Sequence, residues 1–544
     1  MRRPKRLTSF ALPVVAALLL ASCGGGSSDE GDSGDNTSEG SQGGSFSISS
    51  SEPEAFAPTS NCYSSDCSQI INLVWTGLLQ VDPETSEQQL RMAESIESPD
   101  GKVWTIKLKD GFKFHNGEPV NAESYLRAWN YAAYGPNATQ VGFFFDDVQG
   151  YDDLQGENPK AKEMSGLKAV DDTTIEVTLK KPFSQFPLVL SYTPAGAPMA
   201  EECLKDIKAC NEQPIGNGPY QFAEKWQHNQ SITLEKYADY TDEESDGNAD
   251  EITFQIYADL KTAFRDFQSG QLDIVNSVDT SQVDQAKAQY PDNHTIFDDG
   301  GFSYFGFPFY MEEFQDVRIR QALSLAIDRE TIAERVLKDG SEPATDLMPD
   351  FVPGSRPDAC EFCTYDPERA KQLFDEAGGI PGNKVSIWFN NDGGHEQWVQ
   401  AMAQGWKQDL GLDFEFKSQP FTPYLETLGT QSKVDGPYRL GWLPDYPSPE
   451  NYLDPLYGAG SSNYGKWEGP AHEEFLKKIE EGNAAATPEE GVPAYQEAGD
   501  IVLEEMVVIP LWFSKTFALH SERIDNVNYS PLDQFLLKDV TVTS

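Results

Sequence analysis

The sequence predicts an α/β fold. Two patterns carry that reading: short apolar runs of period two, and capped amphipathic runs of period three to four, interleave along the whole chain. The third observation is length. At 544 residues without an internal repeat, the chain is long enough for two or three domains with sizeable cores.

The strand-like elements come first. Residues 104–108 (WTIKL) and 175–179 (IEVTL) place an apolar side chain at every second position, as a half-buried strand requires. Residues 252–256 (ITFQI) and 385–387 (VSI) show the same period. The helical elements are marked by their ends. Asp366 offers an N-cap with Pro367 at the first helical position. Ala370, Leu373, Phe374 and Ala377 then form one stripe, and Gly378 a stop. Asp316 can cap a second helix whose stripe is Ile319, Ala322, Leu323, Ala326 and Ile327.

The N-terminal segment reads as an export signal. Arg2, Arg3, Lys5 and Arg6 precede a short apolar stretch, residues 11–20, which contains Pro13 and is too short to span a bilayer. It ends in Leu20-Ala21-Ser22-Cys23, which resembles a bacterial lipobox, whose Cys is lipidated and becomes the mature N-terminus. An ordinary signal peptide with a chance Cys is the other reading. Residues 24–44 favour the anchor: they contain only Gly, Ser, Asp, Glu, Asn, Thr and Gln, which cannot bury enough apolar surface to fold. As a coil they would span about 25 Å root-mean-square, a tether between a membrane surface and a folded body.

The charge excludes some partners. The formal net charge of −47 becomes −51 once the four basic signal residues are removed, which argues against nucleic acid and against direct contact with anionic lipid. Apart from Cys23 the cysteines fall as Cys62/Cys67, Cys203/Cys210 and Cys360/Cys363. Six cysteines allow 15 connectivities, of which three local bridges are the simplest in an exported chain. The Cys360-Glu-Phe-Cys363 spacing is also that of a redox pair or half a zinc site, yet no second such pair or His pair accompanies it.

Catalytic templates fail. The chain has no GxSxG, HExxH or GxxxxGK[ST], and His395-Glu396 lacks the second His of a zincin. The acidic run 242–251 imitates a calcium loop through Asp242, Glu244, Asp246 and Gly247, but position twelve is Thr253 where a bidentate Glu is needed. No catalytic residue, metal ligand or cofactor is assigned. Carboxylate pairs for glycoside hydrolysis are abundant among 88 acidic residues, and none stands out. Phe, Trp and Tyr make up 12% of the chain, with a cluster at Tyr438, Trp442, Tyr446, Tyr452 and Tyr457 that reads equally as core or as the wall of a ligand cleft.

Four segments are recognisable. Residues 104–122 (WTIKLKDGFKFHNGEPVNA), 214–222 (PIGNGPYQF), 316–332 (DVRIRQALSLAIDRETI) and 441–453 (GWLPDYPSPENYL) occur in the order found in the family 5 extracellular solute-binding proteins, the oligopeptide and dipeptide receptors of ABC importers. The chain resembles that family from residue 46 to its end. The resemblance implies a bilobal, hinged (type II) periplasmic-binding-protein-like fold with an additional domain inserted in the first lobe. Residues 1–22 would be the lipoprotein signal and 23–45 the tether. Residues 46–78, 201–300 and 516–544 would form lobe I, 79–200 the additional domain, and 301–515 lobe II, with ligand held between closing lobes.

The resemblance also implies a site. Gly441 and Leu443 would present main-chain groups to an extended peptide, Asp445 would receive its α-ammonium, and Arg439 falls where relatives meet a C-terminal carboxylate. Trp442 would pack beside that strand. Tyr63 and Ser64 would stand on the opposite wall, where Cys62, Cys67 and residues 75–78 replace more usual residues and leave the contacts and pocket size open. The implied partners are a short peptide and the transmembrane and ATPase subunits of an ABC permease, with membrane contact only through the lipid; the receptor is expected to be a monomer and not an enzyme. The same scaffold in relatives carries nickel chelates, opines, haem or oligosaccharides, and a remote alternative is an extracellular hydrolase.

Overall fold

The computed structural model describes residues 43–543 apart from 84, 243–244, 431–432, 460–462 and 533. The signal, Cys23 and nearly all of the tether therefore lie outside the described residues. Among the described residues, no helix is long and apolar enough to cross a membrane.

An 11-stranded mixed sheet runs through the molecule. Its two longest strands, His294–Gly306 and Val508–His520, pair antiparallel over most of their length and extend from one apolar core to another. Residues 302–307 and 508–513 belong to a large core shared with the segments 314–412 and 424–506. Beyond the register shift at Asp298/Phe302, Phe297 and Ala518 pack into a second core built from the segments 46–75, 220–254 and 524–540. The irregular stretch is held by Asp299, whose buried carboxylate accepts from Ser514 Oγ, Thr516 Oγ1 and Gly301 N.

A four-stranded antiparallel sheet, Ala93–Glu97, Val103–Leu108, Thr174–Thr178 and Leu167–Asp171, stands apart with its own core. Here the period-two runs behave as expected: Trp104, Ile106 and Leu108 point inward, as do Ile175 and Val177, while their neighbours are more open. The 251–256 strand also alternates. The 384–390 strand departs from the expectation, because every residue after Lys384 is buried. Its neighbour Asp413–Gln419 pairs with it in parallel after the helix Glu396–Leu410, and parallel strands joined by crossover helices are covered on both faces.

The capped helices form where their signals stand. Asp366 accepts from Arg369 N at the head of Pro367–Glu376, and Gly378 follows with φ +86°. Asp316 accepts from Arg318 N at the head of Val317–Leu325. That helix stops two residues short of the end of the predicted stripe, and Ala326 and Ile327 are buried just past its end. All three cysteine pairs are local disulfides: Cys62–Cys67, Cys203–Cys210 and Cys360–Cys363.

Candidate functional site: an open strand edge between two desolvated charges

The strand Tyr438–Trp442 pairs along its length with residues 302–306 on one side. On its other side the parallel strand 384–390 reaches it only at Trp388 and Tyr438, and then turns away. Trp388 N donates to Pro437 O at 2.9 Å on that side. Main-chain groups of alternate residues point to the same edge, so those of Arg439, Gly441 and Leu443 face the side left open. Tyr424 OH takes the Arg439 carbonyl at 2.8 Å. Gly441 and Leu443 continue the edge, and an unpaired edge of this kind can accept an added strand. Leu443 is half exposed, and Trp442 lies partly buried with its Nε1 on Asn451 Oδ1 at 3.2 Å.

Asp445 ends this segment. Asn451 holds it twice, accepting from Asp445 N at 3.0 Å and donating to Oδ2 at 3.2 Å, and the Tyr192 hydroxyl also hydrogen-bonds the carboxyl. No cation among the described residues pairs with it. Burial pushes its pKa up to about 7, with the bonds from Asn451 and Tyr192 acting in the other direction. A carboxylate so desolvated, without a counter-ion, is chemically complementary to an ammonium group.

Arg439 lies at the strand's other end. Its Nη1 reaches Asn390 Oδ1 at 3.2 Å and Nη2 reaches Ser303 Oγ at 3.4 Å, while Nε is buried without a partner among the described residues. Burial lowers its pKa to about 10. His395 stands close by, kept neutral by burial and then by the Arg439 charge, with a pKa of about 3. A desolvated guanidinium with an unused donor beside neutral groups suits a carboxylate.

The segments expected on the opposite wall lie at the head of the helix Ser65–Val74. Ser64 is its N-cap, accepting from Cys67 N at 3.3 Å and donating to Glu54 Oε2 at 3.0 Å, so its hydroxyl is already committed. Tyr63 is 57% exposed, which leaves its ring available to a ligand. Tyr192 connects this helix to the charged site, since its hydroxyl interacts with both Ser68 and Asp445. The Cys62–Cys67 bridge closes the turn in which Tyr63 and Ser64 sit.

Sequence reasoning missed Tyr192, Asn451, His395, Asn390 and Ser303. Asn451 lay within the recognised segment, six residues beyond Asp445; the others come from distant strands and loops, with no local pattern to mark them. The aromatic cluster, which read equally as core or as cleft wall, falls mostly in the core: Tyr438, Tyr446, Tyr452 and Tyr457 are all buried, and Tyr446 packs into the core of the four-stranded sheet. In the acidic run, Asp246 pairs with Lys236 at 2.8 Å, and the run lies between two strands rather than two helices.

Residues 87–464 match the family of bacterial extracellular solute-binding proteins, family 5 (middle region), and the chain belongs to that family. It is 27% identical to the oligopeptide-binding protein OppA of Bacillus subtilis, over 96% of this chain and 97% of that one. It is 28% identical to the dipeptide-binding protein DppE of the same organism, over 90% of each chain. Among solved structures it superposes on Haemophilus influenzae OppA in complex with RPPGFSPFR with a TM-score of 0.73 and 22% identity, covering 93% of this chain and 100% of that one. The fold is accordingly the bilobal α/β fold of binding proteins.

Proposed function

We propose that the protein is a receptor that captures short peptides between its lobes and delivers them to the transmembrane subunits of an ABC importer, whose ATPases supply the energy. One observation carries the reading: an open strand edge at Gly441 and Leu443 is flanked by a partly buried, desolvated carboxylate, Asp445, and a partly buried, desolvated guanidinium, Arg439, neither with a counter-ion among the described residues. A free peptide is complementary to all three, with a main chain for the edge and a charge of the required sign at each end. Main-chain pairing carries little side-chain information, so broad sequence tolerance follows. The relatives' names, oligopeptide-binding and dipeptide-binding protein, support the same class of solute.

In this reading residues 46–78, 201–300 and 516–544 make lobe I, 79–200 the additional domain and 301–515 lobe II. The separate cores of the 302–513 region and of the four-stranded sheet support that division. Cys23 carries the lipid that holds the receptor on the outer face of the cell membrane. Cys23→Ala is expected to release a folded protein into the soluble fraction; its retention in membranes after high-salt washing would contradict the anchor.

Calorimetric titration with unmodified tri- to pentapeptides tests the solute. Saturable binding of the peptides, with no competition from nickel chelates, haem or oligosaccharides, is expected. Binding of one of those solutes and of none of the peptides would overturn the proposal.

A further inference from the structure

Asp445 has a second neighbour besides the open edge. It lines a cavity of about 250 Å³ that touches Pro444 and Asp445 but none of the residues 439–443, and so leaves the strand at the end where the ammonium site lies. From there the cavity runs past Tyr192 and Thr76 to a corner that contains Arg91 and Lys538.

Lys538 is unusual in this chain. Acidic residues outnumber basic ones by 88 to 41, and lysines in partly buried settings find carboxylates: Lys236 pairs with Asp246 at 2.8 Å, and Lys515 with Glu342 at 2.7 Å and Asp298 at 3.0 Å. Lys538 instead donates to Ser245 Oγ at 2.9 Å and makes no ion pair among the described residues. Asp539 and Asp242 favour its charge from farther off, while burial and then the Arg91 guanidinium bring its pKa down to about 8. It remains largely protonated at neutral pH. Arg91 is 7% exposed, with Nη2 on Gln89 Oε1 at 2.8 Å. Neither cation acts on Asp445; the cavity is also lined by Asp246, which is paired with Lys236, and by the exposed Asp539. The turn that carries Lys538 is fixed by Asn248, which donates N to Lys538 O and Nδ2 to Asp539 O, each at 3.0 Å.

We propose that the Lys538–Arg91 corner is a subsite for an acidic side chain on the first or second residue of the bound peptide. The assignment rests on the peptide reading above and adds a preference to it. The peptide's ammonium meets Asp445, its main chain follows the open edge toward Arg439, and the cavity behind Asp445 receives a side chain from its amino end. A carboxylate there gains the charge-assisted hydrogen bonds that Lys538 otherwise lacks.

The test is calorimetry on the mature chain with Glu-Ala-Ala-Ala, Ala-Glu-Ala-Ala and their Gln twins, against wild type and Lys538→Met. In wild type the Glu peptide of at least one pair is expected to bind on the order of tenfold more tightly than its twin, a preference that shrinks with added salt. In Lys538→Met the ratio is expected to fall towards one. Equal affinity within both pairs in wild type overturns the subsite and leaves the peptide reading intact. Binding of none of the four overturns the peptide reading and the subsite with it. A Glu preference that survives undiminished in a folded Lys538→Met overturns the assignment to that lysine. The wild-type comparison stands even where the variant does not fold.

Discussion

Around the helices Val317–Leu325 and Arg329–Ile332 two arginines are buried, and at the strand Tyr438–Trp442 a third is partly buried in different company. Arg329 spends Nε on Pro510 O at 2.8 Å, Nη1 on Ser324 O and Cys363 O, and Nη2 on Ser324 Oγ. Arg320 donates to Phe314 O, Gln315 O, Glu505 O and Met506 O. Each ties a helix to loops and strands far along the chain. Arg439 has two long side-chain contacts and an idle Nε. Burial lowers all three pKa values to a similar degree, to about 9, 10 and 10, so the shift does not distinguish Arg439 from the other two. Its less satisfied donors do, and they support the ligand role proposed for it.

The comparison can be broken at either end. The largest effect is expected for Arg329→Leu, which strips donors from several buried carbonyls at about 1–3 kcal/mol each. Urea unfolding should show a loss of about 3–5 kcal/mol, and a loss below 1 kcal/mol would contradict the structural role.

Asp445→Asn should act in the opposite direction. Its pKa in the folded protein is raised to about 7 from an ordinary 3.8, so the unliganded fold binds more protons than the unfolded chain between those values. Stability from this group is therefore fully present below pH 3.8 and lost as pH rises through 7. Removing the charge is expected to stabilise the unliganded protein on the order of 2 kcal/mol at pH 8 and very little at pH 4. A variant less stable than wild type at pH 8 would show that the carboxylate is held for structure.

Arg439→Met should be smaller still, within about 1 kcal/mol in unfolding, because it removes a desolvated charge along with two weak contacts. Its effect is expected in binding: peptides with free C-termini should weaken in the variant, and C-terminal amides should change little. Equal losses for both would sink the carboxylate role.

What the sequence made legible follows from how local each signal is. The caps at Asp316 and Asp366 act within three residues, and both helices begin where those residues stand. Burial of both faces of 384–390 depends on a parallel neighbour and crossover helices, which three apolar-polar positions do not report. Asp445, Gly441 and Leu443 were reachable because the single recognisable segment 441–453 holds them together, and Arg439 stands two residues before it. Tyr192 and Lys538 meet that segment only through folding, and no spacing in the chain announces the cavity they share.

The most direct measurement is a thermodynamic cycle on Asp445. One peptide and its N-acetylated twin are titrated into wild type and Asp445→Asn. An ammonium held by a desolvated carboxylate predicts that acetylation or mutation alone costs about 2–5 kcal/mol, on the order of 30- to several-thousand-fold in affinity. The two together should cost little more than either, because both remove the same pair. Equal affinity of wild type for the free and acetylated peptides would contradict the account.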